Sequence, residues 1–298
     1  MYLEHFALAV APFSIAPDPA FTYPSRAQQE AHATLLEATD RGEVFVKVTG
    51  EVGTGKTLTC RRLLAALTEG GRRCDVAYIA NPCLTPRSLL VAVGLALKLA
   101  PRASASEPRL LAALDRALLK AADAGRRVVV CLDEAQAMPP DALEALCRLA
   151  ERGGGRRPPV QVVLFGQPEL DARLRHARLR ALASRITAQY RLTALSAQET
   201  EAYLAHRLRV AGRACDTAAV FPPVAAARVH RYTRGVPRLV NVVAHKSLLL
   251  ACRDGAPHVG AQHVRAAAAD TPYARPATAL SRLIAWWQQG RIRQGTQA

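Results

Sequence analysis

A chain of 298 residues that is 50% apolar can bury a sizeable core, as one large or two modest domains. The longest apolar runs, Leu89 to Leu97 and Leu239 to Ala244, are too short to span a bilayer, and the N-terminus lacks the basic-then-apolar pattern of a signal peptide. Seven cysteines without a CxxC pair exclude a zinc ribbon or a disulfide framework, so a cytoplasmic globular protein with buried thiols is expected. The net charge of +16 is almost entirely arginine and is uneven, with fourteen Lys/Arg against five Asp/Glu in residues 196–298. Such a third can approach phosphates of nucleotide, lipid headgroup or DNA, and its sign does not choose among them.

Residues 1–25 carry five aromatics among four prolines, which leaves no room for a helix interior and predicts an extended strap. Two destinations are open to it: wrapping the ligand site or lying over the core. Ser25 to Thr39 reads as a helix, and Val44 to Val48 as a buried strand. Gly50-Glu51-Val52-Gly53-Thr54-Gly55-Lys56-Thr57 follows, and Leu58 to Leu67 then shows apolar residues at helical spacing. This is GxxxxGK[ST] at a strand-to-helix junction, a match that arises by chance in roughly one chain of this length in a hundred before context is required. Glycines let several backbone N–H groups converge on phosphate oxygens, and the helix N-terminus adds positive potential. Residues 50 through Leu58 are thus expected to hold ATP or ADP, with Lys56 on the β- and γ-phosphates and Thr57 on Mg²⁺.

Asp75 to Ala80 is a second strand, which ends at Asn81. A polar residue there faces the crevice where ligands sit in parallel sheets, or caps the turn before Pro82. Arg87 to Leu99 and Arg109 to Ala124 read as helices. Arg126 to Glu134 is an apolar strand that delivers two carboxylates at its end, a Walker B pattern. Asp133 is assigned to the Mg²⁺ shell and Glu134 to polarising the attacking water, facing the glycine loop from a neighbouring strand. Asp141 to Glu151 is a helix, Gly153 to Pro159 a basic loop, and Val160 to Phe165 a strand that presents Gln167 where a γ-phosphate sensor belongs. An Arg-rich helix is expected over Asp171 to Ser184, then a fifth strand over Ile186 to Leu192.

From Leu195 the pattern is helical only. Ser196-Ala197-Gln198-Glu199 is a capping box for a helix to about Gly212; Pro223 to Tyr232, Pro237 to Cys252 and Gly260 to Ala269 follow. Arg238, in the first turn of the third, is placed to swing onto phosphates from a lid. Ala277 to Ile292, with Trp286-Trp287, reads as an amphipathic helix for a membrane surface, a partner or its own lid.

This arrangement, an α/β P-loop NTPase core with a parallel five-stranded sheet sandwiched by helices and a small all-α lid, resembles the AAA+ superfamily. The opening Met1-Tyr2-Leu3-Glu4-His5-Phe6, Ala11-Pro12-Phe13, Pro17-Asp18-Pro19, the glycine loop, Gly166-Gln167-Pro168-Glu169-Leu170 and Gly235-Val236-Pro237-Arg238-Leu239-Val240-Asn241 look like the ExeA/GspA family. Its members are ATPases of general (type II) secretion and of MSHA type IV pilus biogenesis. The likeness covers roughly residues 1–270 and is strongest to the short MshM-type member, since no transmembrane helix or peptidoglycan-binding part follows. It implies a strap (1–25), a core (26–194), a lid (195–270) and a basic tail (271–298). It also implies Gln167 as sensor 1, Arg238 as sensor 2, Asn81 as a restraint on the glutamate, and Arg185, with Arg180 close by, as a trans arginine finger. A homo-oligomer, such as a hexameric ring, acting with an inner-membrane secretion or pilus assembly protein is the implied setting, with peripheral membrane contact through the tail. A nucleic-acid-acting ATPase is the alternative, disfavoured because no helix-turn-helix pattern follows the lid.

Overall fold

The computed structural model describes residues 2–16, 18–69, 74–80, 84–99, 105–151, 160–214 and 218–274. In chain order the elements are α1 (Tyr2–His5), α2 (Arg26–Arg41), β1 (Phe45–Gly50), α3 (Lys56–Glu69), β2 (Cys74–Ile79), α4 (Pro86–Ala96), α5 (Glu107–Asp123), β3 (Arg127–Leu132), α6 (Pro140–Glu151), β4 (Val160–Gly166), α7 (Glu169–Leu174), α8 (Arg180–Ala183) and β5 (Ile186–Leu192). Four helices follow: α9 (Ala197–Val210), α10 (Pro223–Thr233), α11 (Pro237–Arg253) and α12 (Ala261–Ala269). Contacts divide the chain into two compact units, one of residues 26–193 and one that joins residues 1–25 to 194–298.

In the first unit the strands form a parallel sheet in the order β2-β3-β4-β1-β5. A parallel sheet needs cover on both faces, and alternate side chains of each strand supply two apolar layers. Phe45, Val130 and Leu164 join α4, α5 and α6 in one cluster. Val46, Val48, Val129, Cys131 and Val163 join α2 and α3 in the other. β4 is buried along its whole length, as its central place requires. The strand that ends at Asp133 is not beside the strand that begins the glycine loop: β4 lies between them.

Local signals explain several boundaries. Thr85 Oγ1 accepts the Ser88 N–H at 3.2 Å to cap α4, and Pro86 occupies the first turn. The single Arg-rich helix expected over Asp171 to Ser184 is instead α7, a 3₁₀ turn at Ala177–Leu179, and α8, because His176 adopts extended angles (φ −64°, ψ 141°). The buried leucines at 170, 174, 179 and 182 are spaced by four, five and three. One straight helix would rotate the second pair off the core, and the break restores their phase.

The second unit is all-helical. Ser196 and Glu199 make the expected capping box at α9, with bonds of 3.1 and 2.9 Å. The strap lies within this unit: Phe6, Leu8, Phe13 and Phe21 are buried with Tyr203, Leu204, Val240 and Leu248. It contains one helical turn, α1, and a 3₁₀ turn at Pro19–Phe21. Buried Arg207 fastens it, donating to Pro12 O at 2.6 Å and Ser14 O at 3.2 Å, with its guanidinium 4.7 Å from the centre of the Phe21 ring. Among the described residues no helix is long and apolar enough to cross a membrane.

Candidate nucleotide site

The glycine loop connects the end of β1 to the start of α3, so its backbone turns directly into a helix N-terminus. The first N–H groups of a helix have no intrahelical partner, which leaves those at the start of α3 available to an anion held by the loop. Two glycines are required sterically. A Cβ on Gly50 would stand 2.7 Å from Thr54 Oγ1 and 3.0 Å from Leu192 Cβ. Gly55 has φ +98°, and a Cβ there would stand 2.7 Å from Gln28 Nε2. Thr54 closes a tight turn through Oγ1 on Glu51 O at 2.9 Å.

Lys56 is 5% exposed, with Nζ donating to Gly50 O at 2.8 Å and Glu51 O at 3.0 Å. The amine is therefore folded back on its own loop. Burial pushes its pKa down, and Glu134, Asp133, Glu51 and Glu169 oppose that shift. The Thr57 hydroxyl, in the first turn of α3, donates to Asp133 Oδ2 at 2.6 Å, so a helix start and the end of β3 bring two hard oxygens together, and the Asp133 charge is felt at the amine. That donor set suits Mg²⁺, which takes few protein oxygens and keeps the rest of its shell as water and phosphate. The cradle that a Cβ would fill, the buried cation and the oxygen pair together fit a magnesium-bound nucleoside triphosphate.

Asp133 follows β3, where its N–H is anchored on Ile79 O at 3.0 Å and its Oδ1 accepts the Glu134 N–H at 3.0 Å. Glu134 has left-handed backbone angles (φ 54°, ψ 38°), a conformation that costs a non-glycine residue about 1–2 kcal/mol. Its Oε2 accepts Gln136 Nε2 at 2.6 Å and Gln167 Nε2 at 3.0 Å. Burial raises the pKa of this carboxyl, but the two amides and Lys56 outweigh it, and the net value lies below the usual glutamate range. Gln167, expected to meet phosphate, thus meets the glutamate.

Lys56, Thr57, Asp133, Glu134 and Gln167 are gathered at the C-terminal ends of β1, β3 and β4, across the crevice where parallel sheets bind ligands. Arg185 is ion-paired with Glu151. Arg180 has no side-chain partner among the described residues and lines a cleft of about 840 Å³ with Lys47, Asp171, Arg175 and Arg191. Arg238 is exposed in the first turn of α11, in the other unit. Asn81, the basic loop at 153–159 and the Trp286-Trp287 tail lie outside the described residues. Gln136, Arg173 and Gln28 were not singled out from sequence. The nearest signal was a glutamine two positions beyond the Asp-Glu pair.

Residues 39–174 match the family described as an AAA domain. The general secretion pathway protein A of Aeromonas hydrophila is 42% identical over 255 residues, which cover 86% of this chain and 46% of that protein. The chain belongs to the ExeA/GspA family of AAA+ ATPases. It spans about half the length of the curated relative it matches. Solved structures similar to this GspA-family chain include Cdc6p from Pyrobaculum aerophilum, with a TM-score of 0.68 and 19% identity over 93% of this chain and 74% of that one. The ORC2 protein of Aeropyrum pernix gives 0.61 at 19% identity, over 87% of this chain and 70% of that one. The RuvB Holliday junction branch migration motor of Thermotoga maritima gives 0.53 at 17%, over 83% and 69%. At such identities they show the P-loop AAA fold alone.

Proposed function

We propose that this GspA-family chain is a Mg²⁺-dependent ATPase that hydrolyses ATP as a homo-oligomer, such as a hexameric ring. In this reading it drives or regulates assembly of a type II secretion or MSHA type IV pilus system through an inner-membrane assembly protein. The observation that carries the reading is the Thr57–Asp133 oxygen pair at 2.6 Å, set between buried Lys56 and the adjacent Glu134. Magnesium, when bound, neutralises charge on the phosphate oxygens, and Thr57 and Asp133 are the residues that would hold it and its waters. Lys56 leaves the Gly50 and Glu51 carbonyls for the β- and γ-phosphates. Glu134, with Oε2 engaged by two amides, takes the water's proton on Oε1. Arg238 contributes from the lid as sensor 2.

A neighbouring subunit completes the site with a cation that compensates transition-state charge. The partnerless Arg180, beside Arg175 and Arg191 in an open cleft, supports that role better than Arg185, which Glu151 already neutralises. Specific ATPase activity should therefore rise with protein concentration. Arg180→Ala should be inactive alone and regain turnover when mixed with Glu134→Gln, since each supplies what the other lacks. Flat activity from dilute monomer upward, or no recovery on mixing, would remove the trans role.

A second reading, a nucleic-acid-acting ATPase, draws on exposed Arg231, Arg234 and Arg238, which have no side-chain partners among the described residues. Duplex DNA that stimulates hydrolysis, with a steep loss on adding salt, would promote it over the first.

A further inference from the structure

Glu134 is not held by its own strand alone. The 3₁₀ turn Ala135–Ala137 brings Gln136 back over the carboxylate, where Nε2 donates to Glu134 Oε2 at 2.6 Å and Oε1 accepts the Gln167 N–H at 3.0 Å. One side chain thus spans from the Walker B turn to the end of β4. Gln167 closes the ring through Nε2 on the same Glu134 oxygen at 3.0 Å. The turn is fastened from outside as well: Arg173 of α7 donates to the Gln136 carbonyl and to Met138 O, the latter at 2.6 Å. Packing is tight enough that a Cβ on Gly166 would stand 3.3 Å from Gln136 Oε1 and 2.8 Å from Leu170 Cδ2.

A polar ring of this kind fixes more than a position. A carboxylate is symmetric in solution, but with both lone pairs of Oε2 taken by amides, only Oε1 is free to face an attacking water. We propose that Gln136 is a positioning residue for hydrolysis, which acts through Glu134 by selecting the oxygen presented to water and by tying it to the Gln167 backbone. The inference rests on the ATPase reading. Arg173, which falls in the segment expected to form one Arg-rich helix, serves this arrangement from behind through the Gln136 and Met138 carbonyls.

Two substitutions separate this role from a merely structural one. Gln136→Leu removes both bonds. Gln136→Glu keeps an acceptor for the Gln167 N–H but puts a second carboxylate against Glu134. Both should bind Mg-ATP with a Kd within about threefold of wild type, while kcat falls about 30- to 300-fold, the split expected when an interaction serves the chemical step rather than ground-state binding. On a Glu134→Gln background, Gln136→Leu should lower residual single-turnover hydrolysis by less than about twofold, because residues acting as a unit are not additive. Should Gln136→Leu fail to fold, Gln136→Glu carries the same comparison. A kcat within twofold of wild type, or the same fold-loss with and without Glu134, overturns the inference while ATPase activity stands. A wild-type chain that binds Mg-ATP without turning it over removes the ATPase reading and this inference together.

Discussion

Gly55 offers a quantitative test of the cradle. Its φ of +98° is a conformation that a side chain strains, and a Cβ would stand 2.7 Å from Gln28 Nε2. Forcing alanine into such a region costs about 1–3 kcal/mol. The Gln28 amide is a flexible end, and displacing it into a poorer rotamer adds about 0.5–1.5 kcal/mol. The total of about 1.5–4.5 kcal/mol can appear in two places. If the loop keeps its shape, the first unit loses that much stability. If the loop relaxes to negative φ, its N–H groups turn from the phosphates and Mg-ATP affinity falls by roughly 10- to 1600-fold, at 1.4 kcal/mol per tenfold. Calorimetric titration of Mg-ATP together with thermal melting distinguishes the two. Adding Gln28→Ala should return only the contact part, about 2- to 10-fold, and leave the backbone strain in place. Binding within threefold of wild type at an unchanged melting temperature would refute the argument.

Glu134→Gln should retain ATP affinity while kcat falls by about 10²- to 10⁴-fold, and near-normal turnover would exclude Glu134 as the base. Arg207→Leu should release the strap, costing about 2–4 kcal/mol from bonds to Pro12 and Ser14 and the lost stacking on Phe21. Limited proteolysis should then cut quickly near residues 10–20, and an unchanged cleavage rate would contradict the assignment. His206, His230 and His245, all in the helical unit, are held below the usual imidazole pKa by burial, with Arg209 adding to the effect at His206. The unfolded chain therefore takes up protons first. Their contribution is complete above the unfolded value of about 6.5 and is lost as pH falls through the lower folded values. Urea melts at pH 7.5 and 5 should show the loss, and His230→Gln should reduce it; a flat profile would refute the sign.

Much of the core was legible because its signals are local. A glycine loop followed by lysine and threonine specifies a strand-to-helix turn through backbone conformation, and the apolar run before Asp133-Glu134 specifies a buried parallel strand whose end faces the crevice. The Arg-rich segment was misread because its overall periodicity concealed a phase slip between Leu174 and Leu179. Gln136 was illegible for another reason. Its neighbours Glu134 and Gln167 are 2 and 31 residues away, and only the position of β4 beside β3 brings the second within reach.

By itself the sequence determined the glycine loop at a strand-to-helix junction, the strand that delivers the acidic pair and the change from α/β to helical character near residue 195, since each depends on short-range backbone preference or periodicity. Tertiary structure alone decided that β4 separates the two Walker strands, that the aromatic strap belongs to the helical unit, and which of the arginines is already neutralised. Those outcomes depend on which surfaces meet after the chain has folded back. Burial of Phe6, Phe13 and Phe21 against distant helices, and a carboxylate 34 residues from Arg185, are long-range contacts that no local pattern encodes.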